Sequence, residues 1–308
     1  MRLLLAALLL PLFGVPAALA QTTTLTGGGY LDYAVRLAPD SSAGEQGFVV
    51  RRGWASLTAQ GARRTTFRLR LETDDATVPA LRLFEAFVRL DSVFGAARGA
   101  HTLTAGLQPT YVTNRANRTW GYRFLLRPAL TGDRVFSSRD LGVQLDGPVG
   151  PLHYAVSFTG SRGPRSVVGD EGRLSGALAT PDDAPVQAVL GLDQVWQPGG
   201  TRTVATVAAA YVSEAGRVGV ETYLQRGAPA HRHGVGVHAA RRLAPRWFAA
   251  GRLSAGFSEA TDRPLLEGVA GAVYRHSAML DVSPNVVLSR PDGEDMAVTA
   301  RLTASLRF

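Results

Sequence analysis

The sequence contains no cysteine, and all of its 33 basic residues are arginine because lysine is absent as well. Without cysteine the chain cannot form disulfide bonds, use a catalytic thiol or bind zinc through sulfur. Charged residues make up only 19% of the 308 residues, hydrophobic residues make up 45%, and the mean hydropathy is +0.03. The composition is therefore too apolar for a disordered protein and too polar for a bundle of membrane helices.

The first 20 residues have the pattern of an export signal. Arg2 precedes an apolar stretch from Leu3 to Phe13, and Ala18-Leu19-Ala20 forms a small-x-small cleavage site. A membrane anchor is the alternative, but Pro11 and Pro16 interrupt the segment, whose apolar part is shorter than the ~20 residues that a spanning helix needs. We therefore expect an exported chain without a helical anchor.

Apolar and polar residues alternate with a period of two along most of the chain. In the last segment Leu302, Leu306 and Phe308 share one face, and Arg301 and Thr303 share the other. Such alternation predicts strands with one apolar and one polar face, and no segment of real length has helical periodicity. The predicted strands lie at residues 25–37, 48–60, 64–73, 81–91, 101–109, 139–148, 151–161, 173–180, 186–197, 201–213, 216–226, 232–243, 246–257, 265–275, 277–287 and 296–308.

The connections between these strands alternate in length. Turns after even-numbered strands are mostly short, as at 61–63 and 214–215, whereas connections after odd-numbered strands are mostly longer, as at 38–47 and 110–138. The exceptions are the longer connection 92–100 and the short turn 198–200. This asymmetry is typical of outer-membrane barrels. A soluble β-sandwich or propeller is the alternative, although its polar face would be richer in charge than the Thr, Ser, Gly and scattered Arg found here. We predict an all-β fold, a transmembrane antiparallel β-barrel of about 16 strands over residues 21–308, with an inward-folded constriction loop.

The last residue, Phe308, ends the apolar stripe of the last predicted strand. A terminal aromatic on an amphipathic strand looks like the assembly signal of bacterial outer-membrane proteins, which the barrel assembly machinery reads. An ordinary edge strand that stops at Phe is the alternative. Together with the export signal, this ending predicts a place in the bacterial outer membrane, among its lipid and lipopolysaccharide.

Four stretches between residues 48 and 160 carry a resemblance to a known family. They are Phe48-Val49-Val50-Arg51-Arg52-Gly53-Trp54, Leu103-Thr104-Ala105-Gly106-Leu107-Gln108-Pro109, the segment from Arg134 to Arg139-Asp140-Leu141-Gly142-Val143, and Tyr154-Ala155-Val156-Ser157-Phe158-Thr159-Gly160. In this order they resemble the phosphate-selective porin O and P family. The resemblance implies a sixteen-stranded homotrimeric porin that passes phosphate. The family is associated with pore lysines as well as arginines, so in this lysine-free chain anion transport would depend on arginine alone.

The long connection 110–138 concentrates positive charge. Its arginines are Arg115, Arg118, Arg123, Arg127 and Arg134, and Asp133 is its only acid. A loop of this length after the fifth strand can fold into the lumen, where arginine favours anions because guanidinium stays charged and its planar fork suits phosphate and carboxylate oxygens. Alternatively, these arginines face the surface and bind lipopolysaccharide phosphates or a neighbouring subunit.

Further arginines fall on the polar faces of the predicted strands. They are Arg36, Arg68, Arg70, Arg89, Arg252, Arg301 and Arg307. A charge on the lipid face costs up to ~2–4 kcal/mol at mid-depth, so we expect these side chains in the lumen. We expect Glu72, Glu85 and Asp91 to offset part of their charge.

No pattern in the sequence supports an enzyme, a cofactor or a metal site. His231-Arg232-His233 has no carboxylate cluster beside it, and the acidic turns Asp74-Asp75 and Asp182-Asp183 lack the spacing of a calcium loop. The sequence pI of about 10.5 could suggest nucleic-acid binding, but export and scattered arginines argue against it.

The sequence therefore predicts a passive porin for small anions, phosphate possibly among them, which needs no cofactor and binds no nucleic acid. A non-conducting structural or adhesive barrel and a secreted soluble β enzyme are the competing hypotheses.

Overall fold

The computed structural model describes residues 22–62, 64–74, 80–94, 101–129, 137–160, 171–227, 230–260, 263–291 and 294–308. The predicted export signal, residues 1–20, lies outside the described residues. Within them the chain forms sixteen strands and one α-helix. The strands are β1 (Thr22–Ala38), β2 (Gln46–Gln60), β3 (Thr65–Asp74), β4 (Leu81–Asp91), β5 (Thr102–Pro109), β6 (Arg139–Val149), β7 (Leu152–Thr159), β8 (Gly172–Ala179), β9 (Val186–Gln197), β10 (Gly200–Ser213), β11 (Gly216–Gly227), β12 (Arg232–Ala244), β13 (Trp247–Ser258), β14 (Leu265–Arg275), β15 (Leu280–Arg290) and β16 (Ala297–Arg307). The helix, α1, spans Tyr111–Trp120.

Each strand pairs antiparallel with the next, and β16 pairs with β1, so the sheet closes into a barrel. The seam continues to the last residue, because the amide of Phe308 donates to the carbonyl of Gly27 at 3.0 Å. The predicted barrel of about 16 strands is confirmed. The largest difference in bounds is at β15, where a turn over 276–279, closed by the amides of His276 and Ser277 on the carbonyl of Leu280, delays the strand by three residues.

The two faces of the barrel wall have opposite polarity. On the outer surface Val156, Phe158 and Leu190 are exposed, whereas Thr303 and Ser305, on the inner surface, are buried. The apolar faces therefore point out of the barrel and the polar faces point into it, the reverse of a water-soluble protein. The expectation that strand arginines lie on the lumen side follows the same alternation and holds for Arg68, Arg70, Arg252 and Arg301, which contact other inward-facing groups.

The connection between β5 and β6 contains the helix α1, so the expectation that no segment of real length is helical is wrong there. Val112, Ala116 and Trp120 are buried at intervals of four residues, which places them on one helical face. Polar residues separate them, so the apolar pattern is too short to stand out. Gly121 ends the helix with φ of 72°, a left-handed conformation that favours glycine. Within the described residues, no helix is long and apolar enough to cross a bilayer.

Candidate functional site

The connection between β5 and β6 enters the barrel, as the sequence predicted. Its two ends are held together, since the Thr110 hydroxyl donates to the carbonyl of Ser137 at 2.9 Å and the Thr110 amide donates to that of Ser138 at 3.3 Å. From there α1 lies against the inner wall formed by β9, β10 and β11. Val112 and Ala116 share a buried apolar cluster with wall residues. These wall residues are Ala179, Val189, Val204, Ala208 and Tyr223.

After the helix, the chain continues along the inner wall in a second apolar cluster. Its loop members are Trp120, Tyr122, Phe124 and Leu125, and its buried wall members are Ala240, Ala250, Val269 and Val273. The small and branched side chains of the wall leave room for the large aromatic rings of the loop. The loop therefore packs against the inner wall of β8–β14 and leaves open the part of the lumen beside β3–β7.

The open side holds a cavity of about 480 Å³ between the barrel wall and α1. Arginines from both surfaces line it, namely Arg68, Arg70, Arg89, Arg115, Arg118 and Arg139. The acidic side chains of the lining are Glu85, Asp146 and Asp182. Six arginines against three carboxylates give these described lining residues a formal charge of 6 − 3 = +3. This excess is what an anion would meet in the cavity.

On the wall, one buried carboxylate is shared by several arginines. Glu85 lies 2.6 Å from Arg139, 2.9 Å from Arg68 and 3.9 Å from Arg70. The guanidinium carbon of Arg139 also lies 4.6 Å from the centre of the Phe84 ring. Glu85 thus fixes the arginines in position without cancelling their combined charge. The predicted offsetting role of Glu72, Glu85 and Asp91 agrees with these pairs, because Glu72 contacts Arg52 and Arg70 and Asp91 contacts Arg89.

On the helix, two arginines share one aspartate in the turn between β8 and β9. Arg118 lies 2.6 Å from Asp182, and Arg115 forms an ion pair with the same carboxylate. The Arg115 guanidinium also donates a hydrogen bond to the Tyr111 hydroxyl oxygen at 3.0 Å. Burial raises the pKa of Tyr111, against the opposing effect of Arg115, so its hydroxyl stays neutral in the physiological range. These contacts hold α1 with its arginines toward the cavity.

Arg123 follows the helix and approaches the arginine group from the loop. Burial, followed by repulsion from Arg52 and Arg139, lowers its pKa to about 9, which leaves its guanidinium charged at neutral pH. Its Nε has no hydrogen-bond partner within the described residues. Arg123 therefore adds positive potential next to the cavity, although it does not line it.

The other predicted arginines lie elsewhere. Arg36 is exposed and lies 3.6 Å from Glu45 near the β1–β2 connection, and the side chain of Arg127 is exposed. Arg252 and Arg301 donate to loop carbonyls instead of lining the cavity. Arg134 lies outside the described residues. The structure thus brings the predicted arginines Arg68, Arg70, Arg89, Arg115 and Arg118 together at one cavity. Arg36, Arg123, Arg127, Arg252 and Arg301 do not line it.

Sequence reasoning missed three contributors to this region. Arg139 was noticed only within the Arg-Asp-x-Gly stretch, and Arg52 only within the Phe-x-x-Arg-Arg stretch. Asp182 was dismissed as an acidic turn, yet it pairs with both helix arginines. Its position in a short turn gave no sign that the loop helix would reach it.

Within the described residues, no group of three or more potential ligands could hold a metal ion. His231, from the pair considered in the sequence, is exposed and lies 4.0 Å from Glu259.

No protein-family model matches the chain, and no curated protein matches it. Among solved structures the barrel is similar to Salmonella typhi OmpF in complex with daunomycin, with a TM-score of 0.73, 11% identity, and coverage of 93% of this chain and 97% of that one. It is also similar to the outer-membrane channel DcaP of Acinetobacter baumannii, with a TM-score of 0.69, 11% identity and coverage of 93% and 97%. For the anion-selective porin from Comamonas acidovorans the TM-score is 0.65, the identity is 14% and the coverage is 93% and 99%. These similarities establish a porin-like barrel fold.

Proposed function

We propose that the chain is a porin of the bacterial outer membrane that lets small anions, phosphate among them, diffuse passively through its lumen. The observation that carries this proposal is the cavity beside α1, where six arginines face three carboxylates inside a barrel with an apolar outer surface. A barrel of this polarity suits lipid because the sheet closes on itself, so that no strand edge is left unpaired in the hydrocarbon. The similar fold of a porin described as anion-selective supports the same function.

The finer parts of the proposal have separate support. Phosphate is included because planar guanidinium groups suit its oxygens, and the four stretches between residues 48 and 160 resemble a phosphate-selective family. That resemblance is also the reason to propose a homotrimer. Phe308, whose exposed ring ends the β1–β16 seam, is proposed as the assembly signal. Diffusion down a gradient needs neither a cofactor nor a catalytic residue.

The test is the reversal potential of the purified protein in a planar bilayer under a potassium chloride gradient. We expect discrete conductance steps and a reversal potential close to that of chloride. The double variant R115Q/R118Q lowers the formal charge of the cavity lining from +3 to +1 (3 − 2), so its anion-to-cation permeability ratio should fall by roughly threefold or more.

The matched control is R241Q/R246Q, which removes the same charge from two exposed arginines of β12 and of the turn that follows it. These residues do not line the cavity, so the control should keep the reversal potential of the unmodified protein. A protein that refolds but never conducts would refute the porin function. Equal effects of the two double variants would refute the role given to the cavity.

A further inference from the structure

A second group of wall arginines contacts the backbone of the inserted loop instead of the cavity. The group comprises Arg51, Arg217, Arg252 and Arg301, here called the anchoring arginines. We propose that they are positioning residues, which hold the loop against the wall and so set the width of the channel. The effect on conductance rests on the proposed function, whereas the fixing of the loop does not.

The first anchor joins β1, β2 and β16 to the loop through one buried aspartate. Asp32 lies 2.7 Å from Arg51 and 3.5 Å from Arg301. Arg51 also donates to the carbonyl of Phe124, and Arg301 donates to the carbonyl of Leu125 at 2.8 Å. Each guanidinium therefore uses one edge for a wall carboxylate and another for the loop.

The second anchor repeats this arrangement on β13. Arg252 pairs with Glu221 of β11 and donates to the carbonyl of Arg127 at 2.6 Å. Arg252 contacts the backbone of Arg127, so this hydrogen bond does not depend on the exposed side chain of Arg127.

The third anchor acts on the end of α1. Arg217 donates to the carbonyls of Arg118 at 3.0 Å and Thr119 at 3.1 Å. These belong to the last carbonyls of a helix, which lack intrahelical partners and carry partial negative charge. Gly121 leaves the space that the guanidinium occupies, because a Cβ there would overlap with Arg217.

The anchored carbonyls need such partners. Phe124, Leu125 and Arg127 lie in irregular backbone, where no helix or strand satisfies their oxygens, and a buried carbonyl without a hydrogen bond is costly. The anchors supply these bonds from wall groups that are themselves fixed by Asp32 and Glu221. Removal of an anchor should therefore release the loop while the closed sheet stays intact.

The experiment compares two triple variants of the same design. D32N/R51Q/R301Q removes the first anchor together with its aspartate, so that no buried charge is left alone. D281N/R275Q/R307Q is the control, because Asp281 is also buried and pairs with two arginines, Arg275 and Arg307, and the described contacts of this trio do not include a hydrogen bond to the loop. Both variants change the same residue types and the same charge.

The first readout is digestion of the folded, detergent-solubilised barrel with trypsin, which cuts after arginine and is too large to enter the lumen. Fragments that end at Arg115, Arg118, Arg123 or Arg127 come from protein molecules in which the loop has left the barrel and become accessible to trypsin. Loss of the charge-assisted hydrogen bonds that Arg51 and Arg301 donate to the loop should raise the rate at which these fragments form by about tenfold or more in the anchor variant. The control should remain at the rate of the unmodified protein, and both should keep a heat-modifiable gel shift.

The second readout is the size of the largest polymer that enters the channel in bilayer recordings. It should rise in the anchor variant, while the reversal potential stays on the anion side because Arg68, Arg70 and Arg139 remain on the wall. Equal cleavage in both triple variants, or no increase in either, would overturn the inference. If the unmodified protein does not conduct, the proposed function fails, and digestion still decides whether the arginines hold the loop.

If the variant D32N/R51Q/R301Q does not refold, the single variants R301K and R307K provide the same comparison. Both keep a positive charge beside the aspartate, which is Asp32 for R301K and Asp281 for R307K. A lysine cannot reach both the carboxylate and the loop carbonyl with a planar fork. R301K should therefore increase cleavage and R307K should not; equal cleavage in this pair would also overturn the inference.

Discussion

A guanidinium carries five N–H donors in a plane, whereas an ammonium is a compact point charge. Arg51 shows what this difference allows, because its Nε donates to Asp32 at 2.7 Å while its Nη2 donates to the carbonyl of Phe124. Arg173 similarly bridges Asp140 at 2.8 Å and Asp193 at 3.0 Å. The exclusive use of arginine in this chain suits a lumen in which one cation contacts two partners at once.

The cavity offers a sharp test of charge at a single residue. Asp182 is half exposed and pairs with Arg115 and Arg118, so D182N should leave both guanidinium groups without their carboxylate. The formal charge of the described lining would rise from +3 to +4 (3 + 1). We expect the anion-to-cation permeability ratio, measured from reversal potentials, to rise by about twofold. D183N is the matched control, since it removes the same charge from the next residue, which does not line the cavity. A ratio that rises equally in both variants would mean that Asp182 acts only through the net charge of the surface.

At the level of elements, the strands and the helix differ in how far sequence determines them. A wall strand has one face in each environment, so its alternation of polarity is visible along its whole length, as in Val298–Phe308. The buried face of helix α1 has only three apolar residues, Val112, Ala116 and Trp120. The wall residues that they contact are remote in sequence. Position on a polar face predicted that Arg70 and Arg301 point inward. The position on a polar face could not predict that Arg70 faces the cavity and Arg301 contacts the loop, because this difference depends on the path of the loop across the lumen.

The packing of α1 against the barrel wall can be tested by adding one methyl group to a wall glycine. Gly191 of β9 faces Val112, and a Cβ at this position would lie 2.5 Å from Val112 Cγ2. Because the branched side chain of Val112 is buried and cannot move aside, G191A should displace the helix at a cost of about 1–3 kcal/mol. We expect faster tryptic cleavage after Arg115 and Arg118 in the folded barrel. G176A of β8 is the control, since a Cβ there meets nothing within 4 Å. Unchanged cleavage in G191A would show that the helix does not depend on this contact.

At the level of the whole molecule, the barrel has an apolar exterior and a polar interior, and the sequence predicted both from one alternating pattern. The outer surface exposes residues such as Phe158 and Leu190, which water would not favour. The interior holds charged groups that are buried because they pair with one another, as Arg139 does with Glu85. The closed hydrogen-bonded sheet separates these two environments by the thickness of a single strand, so adjacent residues experience opposite surroundings.

Two adjacent residues of β7 test this separation directly. Val156 is exposed on the outer surface, whereas Ser157 is on the opposite face, paired with Gln144 and Ser175 of the neighbouring strands. If the outer surface meets lipid, V156R places a charge in hydrocarbon near the middle of the strand, which costs about 2–4 kcal/mol, whereas S157R adds a charge to a polar, hydrated lumen. We therefore expect V156R to lower the free energy of unfolding in lipid vesicles by that amount, measured by urea titration with the heat-modifiable gel shift as the readout, and S157R to change it by much less. V156A controls for the loss of the valine side chain. Equal losses of stability in V156R and S157R would contradict a lipid-facing exterior. A charge can be costly at one residue and tolerated at the next only if the two faces of the strand lie in different environments.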